Sequence, residues 1–275
     1  MSTPDEEACR STGTPDPARR SALRLTIGYL YPSVLSQYGD WGNVLCLEQR
    51  CRWRGIAAEV LPLEVDTPID PSAVDLFFMG GGADSQQRLI ARDLVVVKGD
   101  AIRTAIEAGS VALLICAGYQ MWGRLYRPFR GDDLAGLGVF DAETIHWAAE
   151  EQTKITDITS AGRGRMVGNM VVEWEGRRLV GFENHGGRTY LGAGARPLGR
   201  VVMGAGNNGK DRTEGAIYRH AYGTYLHGPV LPKNPALADH LIGLALQRRY
   251  GEVALAPLDD GLEAQAQAVA LHLRR

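Results

Sequence analysis

The sequence predicts an α/β fold, a mostly parallel sheet flanked by helices on both faces. Three observations carry this. The runs at 75–79 (DLFFM) and 111–115 (VALLI) are apolar without alternation and too short for helices, as strands buried on both faces require. Helical stretches, 44–54 and 85–108, alternate with the strand-like runs. Finally, each run ends in small residues, Gly80-Gly81-Gly82 in one case and Ala117-Gly118 just beyond Cys116 in the other. The carboxyl edge of an open α/β sheet is where ligands bind.

The elements follow in order. Residues 1–22 are rich in Ser, Thr, Pro, Asp and Glu and lack an apolar core, which predicts a disordered tail and excludes a secretory signal. Residues 23–31 (LRLTIGYLY) form a strand and 32–42 a loop; Asn43 is a suitable N-cap for a helix over 44–54, which Gly55 ends. A second strand covers 57–63, DLFFM is the third, and a long helix over 85–108 is stopped by Gly109 before VALLI. From about residue 139 the texture changes to short strands with glycine-rich breaks, at 168–174, 179–182, 200–204 and 215–218. Residues 131–138 read as a connector and 153–165 as a surface loop. Helices at 236–250 and 262–273 close the chain, giving a tail (1–22), one domain (23–250) and a helical extension (251–275).

Composition narrows the function classes. Hydrophobic residues make up 45% and the formal net charge is −2, so the chain can bury a sizeable core and has no electrostatic bias toward nucleic acid. No segment approaches the roughly 18 apolar residues of a membrane helix. The expected location is the cytoplasm, where Cys9, Cys46, Cys51 and Cys116 are reduced thiols. None of them stands in a CxxC pair, so no zinc site is expected. Neither Gly80-Gly81-Gly82 nor the segment from Gly206 to Asp211 continues as Gly-Lys-Ser/Thr, so no ATP site and no cofactor are expected in this chain.

Cys116 is the sharpest chemical signal. It ends an apolar strand and precedes Ala117-Gly118-Tyr119-Gln120, which opens a helix. A strand-to-helix turn presents a nucleophile above the sheet, and the helix N-terminus favours a thiolate. The competing reading is a buried core cysteine; the small residues at 117 and 118 favour the nucleophile. The Ala117 amide, with those of Gly81 and Gly82, is a candidate oxyanion donor. A thiol needs a base. His240 and His272 fall on helices, and His146 and His220 have no chemical companions. His185 and His227 both follow strands, and the residues alone leave either open as the base.

Several motifs then carry a resemblance. Cys116-Ala117-Gly118-Tyr119-Gln120 resembles the nucleophile turn of class I glutamine amidotransferases, and Thr224-Tyr225-Leu226-His227-Gly228-Pro229 the histidine motif of their cobyric-acid-synthase-like branch. Together with Gly80-Gly81-Gly82-Ala83-Asp84, the segment from Gly181 to Arg188, and Gly206-Asn207-Asn208, they are similar to the glutaminase subunits of lipid II isoglutaminyl synthases. The resemblance implies a class I amidotransferase-like (flavodoxin-like) fold, Cys116 as nucleophile and His227 as base. It implies that Arg165 holds the α-carboxylate of L-glutamine, and that Gln120 makes a further substrate or turn contact. It also implies a heterodimer in peptidoglycan synthesis: ammonia passes to a Mur-ligase-like partner of the MurT type, which binds ATP and Mg and amidates the D-glutamate of lipid II.

Two departures stand out. Many class I enzymes carry Glu two residues after the histidine; here that place is Pro229, which predicts a Cys–His dyad with any orienting acid supplied by the partner. The stretch 142–164 is longer than the family pattern. The alternatives are a glutaminase serving another acceptor, such as a cobyrinate-type amidotransferase, a stand-alone cysteine hydrolase, and a non-catalytic module that keeps the fold.

Overall fold

The computed structural model describes residues 23–152 and 164–273. The tail 1–22, with Cys9, and most of the loop expected at 153–165 lie outside the described residues.

The first half is built as the apolar runs predict. Strands β1 (Arg24–Leu30), β2 (Ala57–Leu63), β3 (Leu76–Met79) and β4 (Val111–Ile115) alternate with helices. Helix α1 (Trp41–Arg52) joins β1 to β2; α2 (Asp84–Arg92) and α3 (Gly99–Glu107) join β3 to β4; α4 (Ala117–Met121) follows β4 after one residue. Every residue of β3 and β4 is buried, which is why neither shows a polar alternation. β2 alternates toward solvent and carries Pro62, tolerated because the strand lies at the sheet edge.

The second half adds β5 (Leu125–Arg127), β6 (Leu134–Ala135), β7 (Ala142–His146), a short α5 (Trp147–Glu150), β8 (Met166–Trp174), β9 (Arg177–His185) and β10 (Gly187–Leu191). Then come β11 (Gly199–Met203), β12 (Thr213–Glu214), β13 (Ala216–Tyr218), β14 (Ala221–Thr224), α6 (Pro235–Tyr250) and α7 (Gly261–His272). The central sheet runs β13-β14-β4-β3-β1-β2 and is parallel throughout except at the β13–β14 hairpin. Two four-stranded sheets, β10-β7-β5-β6 and β12-β11-β8-β9, make up the glycine-broken region. The mostly parallel sheet with flanking helices is therefore the observed core. No helix among the described residues is long and apolar enough to cross a membrane.

Three sequence expectations are corrected. α1 starts at Trp41, and Asn43 lies buried inside it; its side chain accepts the Leu231 amide (2.9 Å) and does not cap the helix. The helix expected over 85–108 is broken by a π turn at Asp93–Val97. Asp93 turns inward there, accepts from the Tyr31 hydroxyl (2.8 Å) and the Asp66 amide (2.9 Å), and pairs with the fully buried Lys98. A buried charge needs such partners, and the helix deforms to supply them. Thirdly, β5, β6, β7, β10 and β12 were not anticipated, since strands of two to five residues leave little periodicity to detect.

One ion-pair cluster ties three helical segments together. Arg50 of α1, 1% exposed, grips Asp239 of α6 through Nε and one terminal nitrogen (both 2.8 Å) and reaches Asp260 before α7 (2.6 Å). Arg54 adds a bond to Asp239 at 2.7 Å.

Candidate active site

Four strands of the central sheet deliver the site at their carboxyl ends. β1 leads into the loop that reaches Asp40, β3 into Gly80-Gly81-Gly82, β4 into Cys116, and β14 into His227. The edge named by the sequence pattern thus gathers groups from four distant stretches.

Cys116 has φ 51° and ψ −100°, a left-handed backbone that costs a non-glycine residue about 1–3 kcal/mol. The turn is enforced from both sides. The Cys116 amide donates to the Thr224 carbonyl (2.8 Å) and the Gly118 amide to the Gly80 carbonyl (3.2 Å). A Cβ on Gly118 would sit 2.6 Å from the Met79 carbonyl oxygen, so only glycine lets α4 start this close to β3. Burial pushes the thiols of Cys46 and Cys51 up to about 12. Cys116, by contrast, lines a cavity and lies beside a histidine.

That histidine is His227. It is fully buried, and its Nδ1 lies 3.2 Å from Oδ1 of Asp40, itself fully buried. Nε2 makes no hydrogen bond of normal geometry, yet the Cys116 side chain lies near enough to act strongly on the ring. Burial works against the charged imidazole, but the Cys116 thiolate and the Asp40 carboxylate outweigh it and raise the pKa to about 10. Bonds of this kind commonly tighten once a substrate is bound.

Within this chain the acid facing His227 is Asp40, 187 residues earlier. Its second oxygen accepts the Gly81 amide at 2.8 Å. Gly81 must be glycine, because a Cβ there would lie 2.9 Å from His227 Cε1 and 3.1 Å from Asp40 Oδ2. The Gly81 amide is therefore committed to Asp40, which removes it from the expected oxyanion donors. The Gly82 and Ala117 amides have no acceptor among the described residues. The search for an acid close in sequence to His227 missed Asp40; the available signal was a carboxylate in the loop leaving a strand at the ligand-binding edge.

His185, the other candidate base, is placed differently. Its ring stacks on Tyr225 (3.6 Å between centroids, 6° between planes), its Nδ1 faces the Gly187 carbonyl at 2.9 Å, and burial lowers its pKa. The structure gives it no acid–base contact with Cys116. Gln120 lies on the cavity wall, but its side chain is engaged: Oε1 accepts from Gln87 (2.9 Å) and Nε2 donates to the Tyr225 hydroxyl (3.2 Å). Arg165 is exposed at the cavity wall. Asn184 fixes it by accepting from Nε (3.0 Å) and from one terminal nitrogen (2.7 Å), and donates in turn to the Tyr38 hydroxyl (2.9 Å). Tyr38 packs edge-on against His227 at 5.0 Å, so one turn, Tyr38 to Asp40, connects base, acid and arginine. Asn207 and Asn208 are spent on structure, holding Gly215, Thr213, Thr189 and Asp211.

Cys116, Gly82, Arg165, Gln120 and His185 share a cavity of about 560 Å³, a volume suited to a small molecule. A separate cleft of about 400 Å³ under Arg103, Phe140 and Ile217 contains neither cysteine nor histidine. Among the described residues no group of three His, Cys, Asp or Glu side chains is placed to hold a metal ion.

A cysteine on a strained turn, a buried imidazole and a carboxylate behind it are the groups that thiol-nucleophile chemistry requires, and the comparisons specify the family. Residues 26–235 match the model of the CobB/CobQ-like glutamine amidotransferase domain, and the chain belongs to that family: it is a glutamine-hydrolysing amidotransferase. It is 38% identical over 246 residues to the lipid II isoglutaminyl synthase subunit GatD of Staphylococcus aureus (strain N315), covering 89% of this chain and 94% of that one. With the GatD subunit of Streptococcus pneumoniae (strain ATCC BAA-255 / R6) the identity is 34%, over 88% of each chain. Among solved structures, PurLQS from Thermotoga maritima shares the fold at TM-score 0.51 and 17% identity, over 82% of this chain and 95% of that chain.

Proposed function

We propose that this chain is the glutaminase subunit of a lipid II isoglutaminyl synthase, hydrolysing L-glutamine at Cys116 and passing ammonia to a MurT-type ligase. What supports the chemistry is the alignment Cys116–His227–Asp40 at the cavity. What supports the acceptor is the similarity to two GatD subunits along nearly their whole length.

Asp40 holds the Nδ1 proton of His227, which leaves Nε2 to take the thiol proton. The Cys116 sulfur attacks the carboxamide carbon, and the carbonyl oxygen, gaining negative charge, is received by the Gly82 and Ala117 amides. His227 returns the proton to the nitrogen, the C–N bond breaks, and ammonia leaves a thioester on Cys116. Water, deprotonated by His227, then attacks the thioester and releases glutamate and the free thiol. Arg165 fits the substrate α-carboxylate, since a guanidinium pinned on one side by Asn184 keeps donors on the other. Carboxylate activation by ATP and Mg belongs to the ligase, which amidates the α-carboxyl of D-glutamate in the stem peptide.

The test measures ammonia release from glutamine, and ATP-dependent amidation of lipid II, for this chain and a MurT-type ligase separately and mixed. Amidation is expected only in the mixture and is abolished by Cys116→Ala. Amidation by this chain alone refutes the division of labour. Ammonia release with no transfer to lipid II moves the acceptor to a cobyrinate-type substrate.

A further inference from the structure

The cavity beside Cys116 presents two charged side chains of opposite sign, Asp84 and Arg165, and its described lining contains no other Asp, Glu, Lys or Arg. Each is held by a neutral residue. The Tyr126 hydroxyl, on a side chain 2% exposed, donates to Asp84 Oδ1 at 2.7 Å, as Asn184 fixes Arg165. Asp84 Oδ2 receives no protein donor among the described residues. Both charges reach the same neighbour: burial lowers the pKa of His146, Asp84 raises it, and Arg165 lowers it. The Tyr126 phenol also feels Asp84 and Cys116 together. One carboxylate and one guanidinium therefore stand around the nucleophile within Coulombic reach of common residues.

A carboxamide alone needs neither charge. A free α-amino acid needs both, because its ammonium and carboxylate lie on one carbon and must each be compensated on leaving water. We infer that Asp84 receives the α-ammonium of the substrate while Arg165 takes its α-carboxylate, so that the cavity selects a free α-amino acid bearing a side-chain carboxamide. This rests on glutamine being the substrate at Cys116. Asp84 is also the first residue of α2, where a carboxylate favours the helix. That role alone does not distinguish one ligand from another.

The experiment compares L-glutamine with glutaramate, the same molecule without the α-amino group. Binding is measured by calorimetry on the full chain carrying Cys116→Ala, so that nothing turns over. L-Glutamine is expected to bind roughly ten- to hundredfold tighter than glutaramate, the scale of one charged hydrogen bond. Adding Asp84→Asn should bring the two within about threefold, whereas Asp84→Glu keeps most of the preference. Equal binding of the two ligands before Asp84 is changed, or an undiminished preference after Asp84→Asn, overturns the inference. So does equal loss in Asp84→Asn and Asp84→Glu, which assigns the effect to the loop. Ammonia release by the unmodified chain is read in parallel. The binding preference without any hydrolysis of glutamine refutes the glutaminase assignment and leaves the subsite standing.

Discussion

Asp40→Asn is the most informative single change in the catalytic group. The substitution is nearly isosteric, but the two oxygens of Asp40 have different duties. Oδ2 accepts the Gly81 amide at 2.8 Å and Oδ1 faces Nδ1 of His227 at 3.2 Å. The buried Gly81 N–H needs an acceptor, so the asparagine carbonyl takes that side and its NH₂ turns toward His227. A donor opposite Nδ1 forces the imidazole proton onto Nε2, the nitrogen that must accept from Cys116. The base is then in the wrong tautomer, and kcat should fall about 10²–10⁴-fold, a barrier increase of about 3–5 kcal/mol. KM should hold within about twofold, because Asp40 does not line the substrate cavity. The carboxylate also helps hold the His227 pKa at about 10. Its loss lowers that pKa, so the alkaline limb of kcat/KM, set by the thiolate–imidazolium pair, should move to lower pH. The assay is ammonia release against pH with the ligase present, and melting temperature is the control for folding. A kcat within about threefold of wild type would show that the acid orienting His227 comes from elsewhere, the partner subunit included.

Further outcomes follow from the geometry. His227→Ala should slow ammonia release about 10²–10⁴-fold. Because the folded His227 pKa is raised to about 10, its stabilising contribution is complete below its ordinary value and fades as pH climbs through about 10; His227→Gln should flatten that alkaline loss in a Tm-versus-pH series. His185→Ala should leave Cys116 reactive in alkylation kinetics, and loss of thiol reactivity in that variant alone would exchange the two histidines. Arg165→Ala should raise KM for glutamine by roughly ten- to hundredfold, with Arg165→Lys an incomplete rescue for want of the planar fork. An unchanged KM would move the carboxylate to a cation outside the described lining, Arg188 first. Arg50→Ala should cost about 3 kcal/mol in urea denaturation, toward the lower end for a broken buried ion pair because Asp239 and Asp260 keep some solvent contact. A loss under about 1 kcal/mol would mean that solvent replaces the arginine.

Local signals in the sequence specify much of the architecture. VALLI and DLFFM had to be strands, because runs of four or five apolar residues without alternation fit a sheet covered on both faces. The small residues after them marked the ligand-binding edge, and Cys116 stood out because its neighbours fit a tight strand-to-helix turn. Glycine at 55 and 109 marked real helix ends, both with positive φ.

What the sequence by itself determined, then, is the parallel core and the candidate nucleophile, since both follow from periodicity and neighbours within a few residues. The tertiary structure decided the rest. Asn43 left its capping role because a backbone amide at Leu231 needed its side chain, and the helix after Asp84 broke because Asp93 and Lys98 are buried together. Residue types and spacing left His227 and His185 open, and only the resemblance favoured His227; the loops that meet at the ends of β1, β3, β4 and β14 set His227 against Asp40. A hydrogen bond between residues 187 positions apart leaves no local pattern, because the distance that matters to the proton is 3.2 Å through space and not the count along the chain.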